Sequence, residues 1–217
     1  MIRWIIYIAV FALLVFAAVM IADVISLGFF RVRKPGDFDA GDAPGVPGAP
    51  VRALGKPIKN RVERQHGESC GGYASAYVLR HYGFEVTGEE VYSGMFKVWK
   101  GRVWVREVRR QLAKKGLATR YWRGDPDILR RELDKGDPVI LVLNTSSSSL
   151  TLHFAVAVGY DGDEFFLADS AKPVRAPGPF NRIVSESELL EIWDTGSLLM
   201  PFHKFTYITA EPAGSSV

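Results

Sequence analysis

The chain holds one cysteine in 217 residues, Cys70. A lone thiol cannot close an internal disulfide, which excludes a disulfide-stapled scaffold, and it cannot supply the two or more sulfurs of a thiolate metal site. Local excess of one charge is also lacking: 27 Lys and Arg are interspersed with 24 Asp and Glu, leaving a net charge of +3. Neutralising several phosphates needs clustered cations without nearby carboxylates, so a nucleic-acid surface is excluded. A hydrophobic fraction of 47% with 24% charged residues excludes both disorder across the chain and a polytopic membrane protein. No internal repeat or heptad pattern is present.

What is there begins at the N-terminus. Trp4 to Ala22 is nineteen residues without a charge, and a helix rising ~1.5 Å per residue would carry it ~29 Å, enough for one bilayer crossing. Apolar character continues past Asp23 to Phe30, ahead of Arg31, Arg33 and Lys34. That outruns the ~7 to 15 residues of a secretory apolar region, so one uncleaved transmembrane helix and a single-pass membrane location are expected, with the lipid bilayer as partner. The cues to orientation conflict. The cations beyond the run favour a cytoplasmic C-terminal domain, whereas a short N-terminus bearing Arg3 has the form of an export-type signal anchor and leans to an extracytoplasmic one. From Pro35 to Pro50 Gly, Pro, Asp and Ala dominate, the composition of a flexible tether. The organisation read is an anchor over 1–34, a linker over 35–58, a globular domain over 59–212 and a tail over 213–217.

In the globular part, Cys70 to His81 has helical spacing, with Ser69 as N-cap and Gly83 as the closing glycine. Val103 to Lys115, ended by Gly116, and Asp127 to Lys135, capped by Asp125 or Asp127 and ended by Gly136, predict two further amphipathic helices. After Pro138 the pattern changes to continuous apolar runs, Val139–Leu143, Phe154–Val158 and Phe165–Ala168, which predict buried strands. Ser185 to Trp193 restores helical spacing with Ser185 or Ser187 as cap, and Phe205–Ile208 predicts a last strand. Helices first and a sheet afterwards indicate an α+β domain.

Cys70 falls in the first turn of its helix, where unpaired N–H groups and the macrodipole favour an anion. Gly71 and Gly72 leave room for another chain segment or a substrate to approach the sulfur. Of four histidines, His66, His81 and His203 have structural or solvated explanations; His153 opens a predicted strand. If Tyr160-Asp161-Gly162 forms a three-residue hairpin loop, the register sets His153 directly opposite Asp169. A carboxylate at one ring nitrogen fixes the tautomer while the other nitrogen takes a proton from sulfur, so thiol, base and orienter would complete a triad. The Cys70 backbone N–H and the Gln65 side-chain amide are candidate donors to a developing oxyanion.

The segments Gln65-His66-Gly67-Glu68-Ser69-Cys70-Gly71, Tyr77–Gly83, Gly136-Asp137-Pro138-Val139-Ile140 and His153-Phe154-Ala155-Val156, with Leu167-Ala168-Asp169 and Glu188–Trp193 after them, together resemble the bacteriocin-processing, double-glycine leader peptidases and their stand-alone relatives. The likeness runs from about residue 60 to 210. It implies a papain-like cysteine peptidase fold, with N-terminal helices packed on an antiparallel sheet, and a peptide or protein substrate. Position by position it implies Cys70 as nucleophile, His153 as general base, Asp169 as orienter and Gln65 as oxyanion donor. Two departures stand out: Gln65 lies five residues before Cys70 where the family has six, and Ser170 follows Asp169 where the family usually has Pro. Relatives fused to transporters use ATP through a separate domain; this chain has no Walker loop, so neither ATP nor another cofactor or metal is expected.

The leading expectation is a membrane-tethered cysteine peptidase working through a thioester acyl-enzyme. Acyl transfer or deamidation would use the same triad with a different acceptor, and a catalytically idle peptide-binding module would keep the residues without the reactivity. The Ser146–Ser149 run after Thr145 is expected to be a link between strands, and Trp99, Trp104 and Trp122 to complete a core.

Overall fold

The structure, a computed structural model, describes residues 2–26, 31–32, 34, 52–53, 56–57, 60–144, 152–195 and 203–214. Most of the linker, the Thr145–Ser149 segment and the Trp99 side chain lie outside the described residues. Two compact units divide the chain, 1–30 and 31–217.

The first unit is one helix of 25 residues, α1 (Ile2–Ser26). Its described side chains, continuous from Arg3 to Ala18, are exposed, Trp4, Phe11 and Leu13 by 70% or more. Among the described residues no helix is long and apolar enough to cross a membrane. The transmembrane helix expected over this run is therefore not a feature of the described fold.

The second unit is built on a seven-stranded sheet. Its strands are β1 (Arg31–Val32), β4 (Leu117–Arg123), β5 (Val139–Asn144), β6 (Leu152–Asp161), β7 (Glu164–Ala168), β8 (Arg182–Ser185) and β9 (Thr206–Pro212), in the spatial order β1-β4-β9-β5-β6-β7-β8. All pairings are antiparallel except the short β1–β4 pair. A separate two-stranded ribbon joins β2 (Arg52–Ala53) to β3 (Lys56–Pro57). The helices are α2 (Cys70–His81), α3 (Gly88–Ser93), α4 (Val105–Lys114), α5 (Pro126–Asp134) and α6 (Glu186–Trp193).

The unbroken apolar runs of β5 and β6 follow from burial on both faces. Leu141, Leu143, Ala155 and Ala157 join Ile128, Leu129, Leu189 and Trp193 of α5 and α6 in one core. On the opposite face Phe154, Val156 and Ala168 lie against Tyr73, Ala74 and Tyr77 of α2. Caps agree with the residue types: Asp125 Oδ1 accepts from the Ile128 N–H at 2.8 Å, and Ser185 and Glu188 form a reciprocal capping box.

Six of these elements go beyond the sequence reading: α3, β4, β8 and the two-residue strands β1, β2 and β3. The β6–β7 hairpin corrects it. The loop is two residues, Gly162-Asp163, with Asp161 paired to Glu164. Gly162 takes φ +54° at the first loop position, which a type II′ turn reserves for glycine. A shift between Ala157 and Gly159 then sets Val156 opposite Ala168. Continued past Ala168, that register puts Asp169 level with Ala155, so His153 and Asp169 meet on the diagonal instead of facing each other.

Candidate active site

Cys70 is the first residue of α2, whose twelve residues are buried except for Arg80. Ser69 precedes it as the N-cap residue, but its side chain caps nothing: Ser69 Oγ donates to the His66 carbonyl at 2.6 Å and so fixes the approaching loop. The room left by the two glycines is taken by the chain itself. A Cβ on Gly71 would sit 2.3 Å from Val103 Cγ2, and one on Gly72 would sit 2.4 Å from Tyr92 Cβ and 2.8 Å from Tyr92 Cα. The glycines thus let α3 and the segment before α4 close against the turn that carries the thiol.

His153 is 5% exposed, near the start of β6. Its Nε2 donates to Asp169 Oδ1 at 2.8 Å. A carboxylate accepts only, so Nε2 carries the hydrogen, and the ring's hydrogen bond to Cys70 falls to Nδ1. Asp169 is fully buried and accepts twice more: Oδ1 from the Ala171 N–H at 3.0 Å and Oδ2 from Arg182 Nη1 at 3.1 Å. Thiol, imidazole and carboxylate, 99 residues apart in the chain, form one connected group.

Each charge in this group is held by its neighbours. Burial pushes the His153 imidazole down, but the hydrogen bonds to Asp169 and Cys70 and the negative charge on both outweigh it, so the pKa is raised to about 10. Burial likewise pushes the Asp169 carboxyl up, and the His153 bond and charge, the Ala171 amide and Arg182 together bring it down to about 2. An imidazolium beside a carboxylate is the state favoured at neutral pH.

Two residues that hold Asp169 in place were not read from the sequence. Asn181 brackets the Asp169 backbone, its Oδ1 accepting the Asp169 N–H at 2.8 Å and its Nδ2 donating to the Asp169 carbonyl at 2.9 Å. Arg182 supplies the second cation. The available signal was Asn181-Arg182 placed between a Pro- and Gly-containing stretch and the apolar pair Ile183-Val184.

Gln65 is brought to the same corner without touching Cys70. Its N–H donates to the Ser170 carbonyl at 3.0 Å, Ser170 Oγ donates to Gln65 Oε1 at 2.7 Å, and Gln65 Nε2 donates to the Gly67 carbonyl at 2.7 Å. The serine that departs from the resembled pattern is therefore what orients the amide. The other histidines are engaged elsewhere or exposed: His81 Nε2 lies 3.3 Å from Asp137 Oδ1, His203 Nδ1 lies 2.6 Å from Tyr121 Oη, and His66 is on the surface. Among the described residues no group of three or more His, Cys, Asp or Glu could hold a metal ion.

An α+β domain with a cysteine at the head of a buried helix, against a histidine and an aspartate from an antiparallel sheet, has the architecture of a papain-like cysteine peptidase domain. The chain belongs to the Peptidase_C39-like family, whose model matches residues 57–195. Solved structures agree in fold. The peptidase domain of Streptococcus ComA, a bi-functional ABC transporter involved in quorum sensing, has a TM-score of 0.55 at 17% identity, over 71% of this chain and 98% of that one. A C39-like peptidase from Bacillus anthracis has a TM-score of 0.53 at 14% identity, over 75% and 98%. A double glycine motif protease from an AMS/PCAT transporter, solved with its leader peptide, has a TM-score of 0.51 at 18% identity, over 73% and 96%. No curated protein sequence matches the chain.

Proposed function

We propose that the protein is a cysteine peptidase acting through Cys70, His153 and Asp169, held at a membrane by α1. The observation that carries this reading is the buried imidazole bonded at Nε2 to Asp169, with Cys70 as its other partner. The Cys70 thiolate attacks the substrate carbonyl carbon while the thiol's proton already rests on His153 Nδ1. The C–N bond then breaks as that proton goes to the leaving amine, giving a thioester that water hydrolyses to the carboxylate and the free thiol. The Cys70 N–H and the Gln65 amide are the donors proposed for the oxyanion. A peptide substrate accords with the leader peptide bound by one structural neighbour. Anchoring rests on the nineteen uncharged residues from Trp4 to Ala22, all within α1.

The lone cysteine makes the test direct: alkylation by iodoacetamide is followed against pH by intact mass in the full chain and in His153→Ala. At pH 6 only about one ordinary thiol in 300 is ionised, for a free value of ~8.5. A thiolate held by an imidazolium keeps reacting there, and His153→Ala is expected to slow the reaction on the order of 10²-fold. Identical pH profiles in the two proteins would sink the reading. A catalytically idle peptide-binding domain is the second reading, favoured by the Gln65 amide, which spends an N–H on the Gly67 carbonyl; it predicts the identical profiles.

A further inference from the structure

Beside Asp169, the segment between β7 and β8 and the start of β8 wall an open cleft of about 470 Å³. Lys172, Arg175 and Arg182 line it, and no carboxylate does. Lys172 and Arg175 are exposed and make no ion pair among the described residues. Arg182 is shared: its Nη1 holds Asp169 Oδ2 at 3.1 Å, and its charge also reaches Glu188 on α6. The apolar wall is fixed, since Phe180 stacks on Phe166 with ring centroids 4.8 Å apart and planes 16° from parallel. Ile183, half exposed on the edge strand β8, extends that wall.

Two unpaired cations and a third held in place face an apolar wall. This arrangement fits a carboxylate borne on a chain with aliphatic surface of its own, better than a bare ion, which would leave the Phe180 and Ile183 side unused. We infer that the cleft is a subsite for acidic residues of the peptide substrate, with Lys172 and Arg175 contacting the carboxylates and Phe180 and Ile183 the neighbouring apolar side chains. The inference rests on the peptidase reading for its substrate class. It adds that selection for acid occurs next to Asp169, because Asn181 and Arg182 border the cleft and also hold that residue.

The test is binding, measured without turnover in the full chain carrying Cys70→Ala. A fluorescein-labelled dodecapeptide with three Glu among Ala and Leu residues is compared, by anisotropy, with its twin in which Gln replaces each Glu. The acidic peptide is expected to bind at least tenfold tighter, with the difference shrinking as salt is raised and vanishing in Lys172→Gln/Arg175→Gln. Arg175→Gln alone should remove part of it, and because both side chains are exposed, unchanged melting temperatures are expected. Equal affinity for the two peptides, or a preference for acid that survives the double substitution, would overturn the subsite. So would inorganic phosphate binding more tightly than the acidic peptide, since that marks a site for a free anion. The peptidase reading fails separately: Cys70 alkylation indifferent to His153 would remove it even where the binding preference stands.

Discussion

Two corners of the domain each enclose a histidine, and their imidazoles move in opposite directions. At the first corner Asp169 and Cys70 raise His153 to about 10 against its burial. At the second, His203 meets hydroxyls: its Nδ1 lies 2.6 Å from Tyr121 Oη, which donates to Thr206 Oγ1 at 2.7 Å, which donates back to the His203 carbonyl at 2.6 Å. That closed ring links the three residues without a counter-charge, and burial alone pushes His203 down to about 4. Enclosure removes the proton; a neighbouring anion keeps it. The linkage to stability has opposite signs. The His153 contribution is fully present below the ordinary 6.5 and is lost as pH rises through about 10. The His203 contribution is fully present above 6.5 and is lost as pH falls towards about 4.

The comparison is broken most strongly by Asp169→Asn, which leaves His153 buried without its carboxylate, as His203 is. Its NMR titration midpoint should fall by several pH units, and Cys70 alkylation at pH 6 should slow by about 10²-fold. An unmoved midpoint would mean that Asp169 does not set the charge. Asn181→Ala strips the Asp169 N–H of its buried acceptor and should cost about 2 kcal/mol in urea denaturation; full stability would show that the bracket holds nothing. Ser170→Ala should leave the imidazole where it is and free the Gln65 amide. Inhibition by a peptidyl aldehyde, whose hemithioacetal oxygen mimics the oxyanion, is then expected to weaken roughly tenfold with alkylation unchanged. Equal inhibition would detach Gln65 from the chemistry. The second corner offers the smallest effect: His203→Gln should remove about 1 kcal/mol of the stability lost between pH 6.5 and pH 5. A melting curve as steep in acid as that of the native chain would count against it.

Much of this could be read in the sequence where one face or both faces of an element are buried. Val139–Leu143 and Phe154–Val158 announced themselves because no solvent-facing residue interrupts them, and α5 and α6 because their caps use Asp and Ser. In contrast β4 alternates imperfectly, with Arg120 and Arg123 flanking the buried pair Tyr121 and Trp122, so neither periodicity prevails. The identities of Cys70, His153 and Asp169 were legible, but the route to their meeting was not. The two-residue loop and the shift near Val158 change the register by amounts that no composition rule supplies. Asn181 and Arg182 remained hidden because they reach Asp169 from the end of an irregular segment and from the first residue of β8, positions set by tertiary contacts.

The glycine pair after Cys70 has a consequence for motion. With Val103 and Tyr92 seated on those two residues and the helix enclosed nearly along its length, no small local opening can lift the first turn of α2 away from the sheet. Amide hydrogens of that helix should exchange with solvent only through unfolding of the whole domain, and the sulfur should hold its place for as long as the domain remains folded.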